Sequence, residues 1–302
     1  MLKIDLHLHS SFSDGILSPE KLALWLKAKK VSVASLTDHD TAEGVELFLS
    51  RCGKFGIKGI AGVELSAAYN GVLHVLGYRF DPENEVLRTT LKRNRQARHA
   101  RNLLICEKLR NLGLAISIEE VKASIEGMKA SVEEVKASVE EVKASVGVGF
   151  EGDGRAIGRP HMARVLWNKG YVPNVKAAFD KYLGRGGAAY VPRPLLPPEE
   201  CIRMIRRAGG LPVLAHPRQT TPDLDQLPPL LSRLKNDGLW GLECWSPGNS
   251  AAEIYRCLQI AASFDLFPTG GSDFHGGNHS SVSVGVVVRE DLLPWAHLCG
   301  GL

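Results

Sequence analysis

No run of about 18 apolar residues occurs anywhere in the 302-residue chain, so nothing in it reads as a transmembrane helix. The opening residues carry Lys3 and Asp5, without an apolar h-region or a small-residue cleavage site, so no secretory leader is expected. The six cysteines (Cys52, Cys106, Cys201, Cys244, Cys257, Cys299) form no CxxC pair and no disulfide ladder. They fit reduced thiols of a cytoplasmic protein, used mostly as small apolar side chains. Net charge is also scarce, at +4, which favours no class of partner. Nothing resembles a phosphate-cradling Gly-rich loop, because Gly209-Gly210 and Gly270-Gly271 sit at turns into and along strands. What remains is a chain that is 44% hydrophobic, ample for a sizeable core.

Short β-branched or apolar runs alternate with amphipathic stretches. Strands are expected at 3–9, 31–38, 58–65, 72–78, 211–217, 240–245 and 267–275, most of them followed by helices. The first helix is announced by Ser18 as N-cap and Pro19 at its first position. This alternation predicts parallel βα units, and seven strands suggest a barrel. A long insertion, 85–195, separates the segments 1–84 and 196–302 that build the barrel. It opens on a basic stretch running from Arg88 to Arg110 and continues into a seven-residue repeat. In that repeat Ile118, Val121, Ile125, Met128, Val132, Val135, Val139, Val142 and Val146 fall alternately 3 and 4 apart. Such a seam over 116–146 reads as one helix on the order of 45 Å long at ~1.5 Å per residue. A tandem duplication that lengthened a helix explains it, and a homodimer through the seam is the functional alternative. The basic stretch reads as the solvated face of a helix packing through Leu87, Leu91 and Leu104. Tracking of an RNA backbone is the alternative, without interleaved aromatics to stack bases.

The chemistry sits at the strand ends. His7 and His9 in "DLHLHSSFSDG" are two apart on a strand and project from one face, with Asp14 in the turn that follows. Asp273 and His275 in "GSDFH" repeat the spacing. His39 lies in "LTDHD", Glu64 in "IAGVEL", His74 in "VLHVLGY" and His216 in "LAHP". A parallel barrel gathers its strand C-termini at one rim, where active sites form. Six imidazoles and three carboxylates exceed the needs of one ion and suit two or three divalent ions, with Glu64 as a bridge. Nitrogen and oxygen donors without thiolate fit Mn, Zn or Fe(II), and fit poorly with Mg or Ca alone. Three carboxylates cannot neutralise two or three dications, so the centre favours an anionic oxygen and an activated water. Hydrolysis of a phosphate ester by a metal-bridging hydroxide is the expected reaction.

Together "DLHLHSSFSDG", "TDHD", "GVELS", "HVLGY", "AHP" and "GSDFH" resemble the PHP (polymerase and histidinol phosphatase) family over about 1–84 and 196–288. The resemblance implies a distorted (β/α)7 TIM-like barrel with a helical insertion capping the active site. It also implies one ion held by His7, His9, Glu64 and Asp273, a second by Glu64, His74 and His216, and a third by Asp14, His39 and His275. Manganese is the expected metal, with zinc or iron as alternatives. The helical insertion followed by "AIGRPHMA" is similar to the branch that hydrolyses nucleoside 3′,5′-bisphosphates and trims short 5′-phosphorylated oligoribonucleotides. That branch implies Arg159 and His161 against the substrate phosphate, and a guanidinium fork suits that task. The heptad copies depart from its pattern. Three rivals stand beside this reading: histidinol-phosphate phosphatase, C–N hydrolysis by an amidohydrolase barrel, and a non-catalytic nucleic-acid-binding or scaffold module.

Overall fold

The computed structural model describes residues 1–132, 157–276 and 282–299. Eight strands form one sheet: β1 (Leu2–Leu8), β2 (Val33–Leu36), β3 (Lys58–Ser66), β4 (His74–Tyr78), β5 (Leu211–Leu214), β6 (Gly241–Trp245), β7 (Phe267–Gly270) and β8 (Val286–Val288). Their order is β7-β6-β5-β4-β3-β2-β1-β8. The sheet curls into a nearly closed, distorted barrel. Past Gly270 the chain runs along the end of β1, where the Asp273 N–H donates to the His7 carbonyl at 2.9 Å and the His9 N–H to Phe274 at 3.0 Å. The start of β1 pairs instead with β8, antiparallel, from Leu2 opposite Val288 to Ile4 opposite Val286. One edge of β1 is thus shared by two segments. The eighth strand was not expected from "VSVGVVV", whose three-residue extent gives too little alternation to read.

Strand direction departs from expectation once. β4 is antiparallel to both β3 and β5. The connection from Ser66 to His74 is far shorter than the dozen or so residues that a parallel crossover needs, so a hairpin is the available geometry. Reversal has a consequence for chemistry. His74 is the first residue of its strand, and reversal carries that end to the rim where the other strands finish.

Helices α1 (Pro19–Ala28) and α2 (Val45–Lys54) cover β1 and β2 through a core that includes Leu22, Leu26, Phe48 and Leu36. The long chain between β4 and β5 contains α3 (Glu85–Asn111), α4 (Ile118–Val132), α5 (Arg159–Asn168), α6 (Val175–Ala178) and α7 (Pro198–Arg207). A separate cluster, including Ile105, Leu109, Val121, Met162, Leu166 and Leu183, is drawn from within it. Helices α8 (Pro217–Thr220), α9 (Leu227–Asn236), α10 (Ala251–Ser263) and α11 (Trp295–Cys299) complete the chain. No helix among the described residues is long and apolar enough to cross a membrane.

Two expectations for the insertion change. Ile118, Val121 and Ile125, the first seam positions of the repeat, are buried within this chain's own cluster. The seam beyond Val132, and with it the continuous helix to 146, lies outside the described residues. On α3, Leu87 and Leu91 pack inward but Leu104 is exposed, and the buried stripe continues as Asn94, Arg98, Arg101, Asn102 and Ile105. The basic run is therefore not simply a solvated face.

Barrel closure predicts a sharp intolerance. A Cβ on Gly271 would lie 2.4 Å from the His7 Cβ and 2.5 Å from its backbone nitrogen. Backbone cannot yield there as a flexible side chain would, so Gly271→Ala should lose on the order of 3 kcal/mol of stability by overpacking. Urea unfolding would show it, and an unshifted midpoint would contradict this account of the closure.

Candidate metal centre

Glu64 comes from β3, near the end where that strand meets the rim, and is fully buried. Its Oε1 lies 2.7 Å from His74 Nδ1, 3.1 Å from His216 Nε2 and 3.4 Å from His7 Nε2. Its Oε2 lies 2.9 Å from His39 Nδ1 and 3.2 Å from His9 Nε2. Five imidazoles from five separate segments thus surround one carboxylate. Asp273 Oδ1 stands 3.2 Å from His9 Nε2 and 3.4 Å from His7 Nε2. Asp14 Oδ1 is 3.2 Å from His275 Nε2, and Asp14 Oδ2 is 3.8 Å from His39 Nε2. All nine sequence-chosen residues therefore meet at one mouth. They fall into overlapping groups able to surround an ion: His7, His9, Glu64 and Asp273; His39, Glu64 and His74; and His9, Asp14, His39 and His275. His216 joins the second group by lying 3.0 Å from His74, nitrogen to nitrogen.

These contacts are close without being satisfied hydrogen bonds. His7 Nε2, His9 Nε2, His39 Nδ1, His216 Nδ1, Asp14 Oδ1 and Glu64 Oε2 are buried and lack a hydrogen-bond partner. Leaving so many buried polar atoms unpaired would cost roughly 1–3 kcal/mol each. Donors that share an ion at about 2.1 Å lie roughly 3.0–3.4 Å from one another across right to tetrahedral angles, close to the separations found here. The donor set and its spacing fit divalent cations.

Charge points the same way. Against burial, His39, His74 and His7 hold Glu64 well below the usual carboxylate range. Against burial too, His39 and His275 lower Asp14, and His7 and His275 lower Asp273. Burial pushes His74 down to about 4, leaving a neutral imidazole with a free lone pair at neutral pH. Burial also opposes charge on His9, yet Asp273 and Glu64 push that residue up to about 10. The three carboxylates demand positive charge.

The supporting contacts are as specific as the cluster. Ser10 donates from its N–H (2.7 Å) and its hydroxyl (2.5 Å) to Asp38, and the Ser13 hydroxyl donates to the same carboxylate at 2.5 Å. That clamp folds the turn that presents Asp14. Asp5 accepts from the Ser272 N–H at 2.8 Å and its hydroxyl at 2.5 Å, fixing the segment that carries Asp273. Burial, opposed by these bonds, pushes Asp5 up to about 6. His216 (φ 25°) and Asp273 (φ 56°) occupy left-handed backbone, a strain that non-glycine residues bear where the surroundings over-determine it.

Glu243 on β6 was missed. One oxygen lies 3.0 Å from His7 Nδ1, and the other accepts from the strained His216 N–H at 2.6 Å. It fixes one histidine ring and one histidine backbone, as carboxylates behind metal-binding imidazoles do. Its only sequence signal was a charged residue inside the apolar run "WGLECW".

Arg159 and His161 lie at the start of α5, beside the cluster. The Arg159 Nη1 donates to the Leu183 carbonyl at 3.1 Å, and its guanidinium stands 5.9 Å from the Phe179 ring centre. His161 was expected to face the substrate phosphate. Instead its Nδ1 accepts from the Gly158 N–H at 3.2 Å and its Nε2 lies 3.1 Å from the Asp14 carbonyl. Burial pushes it down to about 4, so it is neutral, with both nitrogens spent on holding α5 to the Asp14 turn.

Glu243→Gln should keep the fold and weaken metal binding by about 10–100-fold, the usual effect of removing such a carboxylate partner. Metal titration of the variant and the parent would measure it, and equal affinities would remove Glu243 from the account.

Comparison with known proteins places this geometry. A model of the PHP domain matches residues 5–183. Over 274 residues the chain is 31% identical to a 5′-3′ exoribonuclease of Haemophilus influenzae, covering 90% of each. Over 301 residues it is 28% identical to a 3′,5′-nucleoside bisphosphate phosphatase of Chromobacterium violaceum, covering 97% of this chain and 94% of the relative. A solved structure from Bifidobacterium adolescentis, described as a metal-dependent phosphoesterase, superposes with a TM-score of 0.78 at 29% identity, covering 99% and 96% of the two chains. Family, fold and relatives agree on a hydrolase of phosphoric esters, and the chain belongs to the PHP domain family as a metal-dependent phosphoesterase.

Proposed function

We propose that this phosphoesterase acts in the cytoplasm on nucleoside 3′,5′-bisphosphates or short 5′-phosphorylated oligoribonucleotides, with manganese as its metal. The observation that carries the metal chemistry is Glu64, whose two oxygens lie within 3.4 Å of five imidazoles. The nucleotide part draws on the two relatives named for an exoribonuclease and a bisphosphate phosphatase. In this reading His7, His9, Glu64 and Asp273 hold one ion, Glu64, His74 and His216 a second, and Asp14, His39 and His275 a third. Residues 85–195 form the cap over the barrel mouth.

Divalent ions held there supply Lewis-acid stabilisation of phosphoryl charge and lower the pKa of water toward neutrality. The chain's own residues do the rest. Glu64 ties the groups together, because one carboxylate offers an oxygen to each side. Glu243 keeps the His7 ring turned so that Nε2 faces the mouth. Ser10, Ser13 and Asp38 hold the Asp14 turn, and His161 pins α5 against it. That places Arg159 at the edge of the mouth, where a guanidinium can pair with phosphate oxygens. His275, Asp273 and His74 are the ligands with appreciable exposed side-chain surface, at 32%, 31% and 21%. They mark the side from which an ester enters and along which its alkoxide leaves.

Phosphate release with Mn(II), from adenosine 3′,5′-bisphosphate, a 5′-phosphorylated RNA trinucleotide and histidinol phosphate, tests the reading. Either nucleotide substrate should turn over, and chelation or His9→Ala should abolish it. Turnover of histidinol phosphate alone would overturn the nucleotide assignment while leaving the metal chemistry standing. Activity that survives chelation would overturn the metal chemistry itself.

A further inference from the structure

Next to the Glu64 cluster the fold buries a second concentration of charge, of the opposite sign. Arg98 and Arg101 from α3, Arg159 from the start of α5 and Arg193 from the segment before α7 gather near Asp40. Asp40 Oδ2 accepts from Arg98 Nη2 and Arg193 Nη1, each at 2.8 Å, and its Oδ1 accepts from Asn94 at 3.2 Å. Arg101 Nη2 donates to the Asn102 side-chain oxygen at 3.1 Å, and Arg159 to the Leu183 carbonyl, both neutral acceptors. Arg98 and Arg101 are 7% and 8% exposed, and the Arg193 side chain 5%. The Nε atoms of all three are buried without a partner.

Among the described residues, Asp40 is the one carboxylate paired with this group, against four guanidiniums. Burial, and then repulsion from Arg98, Arg159 and Arg193, pushes Arg101 down to about 8. A guanidinium does not give up its proton in proteins, so what such a group calls for is an anion. An uncompensated buried charge costs several kcal/mol, and the orphaned N–H groups add to it.

The cluster borders the metal centre directly. Asp40 follows His39, and its N–H donates to the Glu64 carbonyl at 2.9 Å. Gly158, which precedes Arg159, lies so close to Asp14 that a Cβ on it would stand 3.1 Å from Asp14 Oδ2. A phosphoryl group undergoing hydrolysis brings three terminal oxygens, and the ions at the centre already claim those. Four guanidiniums beyond it need acceptors of their own.

We infer that Arg98, Arg101, Arg159 and Arg193 form a subsite for a second phosphoryl group of the substrate, one that is bound but not hydrolysed. This rests on the phosphoesterase reading above and narrows it. Planar guanidinium forks match the several oxygens and high charge of a phosphate better than a lone carboxylate. Both nucleotide substrates proposed carry a second phosphorus centre within reach of the first, and histidinol phosphate carries none. The subsite therefore selects against single-phosphate esters.

The test compares the parent with Arg101→Gln, and with Arg159→Gln in case the buried Arg101 proves necessary for folding. The first readout is the ratio of kcat/KM for adenosine 3′,5′-bisphosphate to that for p-nitrophenyl phosphate. The ratio should fall by about tenfold or more on loss of one guanidinium contact. A ratio within twofold of the parent in both variants overturns the subsite. The second readout is inorganic sulfate titrated into the full chain in chelator, followed by thermal unfolding. Sulfate should raise the unfolding temperature of the parent and do so far less in the variant. Weakened sulfate binding with an unchanged ratio means a site for free anions and also overturns the proposal. A parent that hydrolyses p-nitrophenyl phosphate but not the bisphosphate would sink the nucleotide reading by itself. Sulfate then decides the subsite, and equal shifts in parent and variants would refute it.

Discussion

One buried carboxylate constrains the rest of the molecule. Glu64 is inaccessible to solvent and is ringed by imidazoles from β1, the segment after β2, the start of β4 and the segment after β5. Each imidazole must arrive from a different direction, which requires strand ends converging on one point. A barrel supplies that convergence, and an open sheet would spread the same residues along an edge. The two faces of β1 divide the work. Asp5, His7 and His9 point to the chemistry, and Ile4, Leu6 and Leu8 to apolar packing, which suits a strand buried on both sides.

The same constraint explains where the fold departs from regularity. β4 runs backwards, and the reversal still delivers His74 to the rim because His74 is its first residue rather than its last. His216, Asp40 and Asp273 adopt left-handed backbone conformations at the ends of regular elements. Such strain persists only where neighbouring bonds hold it, and here Glu243, the guanidiniums of Arg98 and Arg193, and the His7 carbonyl do so. Stability is given up locally so that donors converge.

Much of the centre was legible because its ligands come in short-range pairs. His7 with His9 and Asp273 with His275 follow the two-residue period of a strand, and that period needs no tertiary information. The barrel and its first seven strands were legible from alternation for the same reason. The direction of β4 was readable in principle from the short link before it, but the βα pattern elsewhere outweighed that cue. Glu243 was not legible, because its meaning lies in contacts with His7 and His216, each far away in sequence. Arg98 and Arg101 were hidden in a run of basic residues. Only the orientation of α3 against Asp40 separates them from solvated neighbours such as Lys92 and Arg93. His161 kept its place beside the cluster but turned both nitrogens to the chain. Residues that act through a partner distant in sequence are the ones that a sequence by itself conceals.

The central claim is that the donors around Glu64 exist to hold cations. Anomalous scattering at the manganese edge, from crystals grown with Mn(II), tests it most directly. The account predicts anomalous peaks within coordination distance of the Glu64 carboxylate, flanked by the nitrogens of His7, His9, His39, His74 and His216. Well-ordered density for those side chains with no anomalous peak beside Glu64 would contradict it.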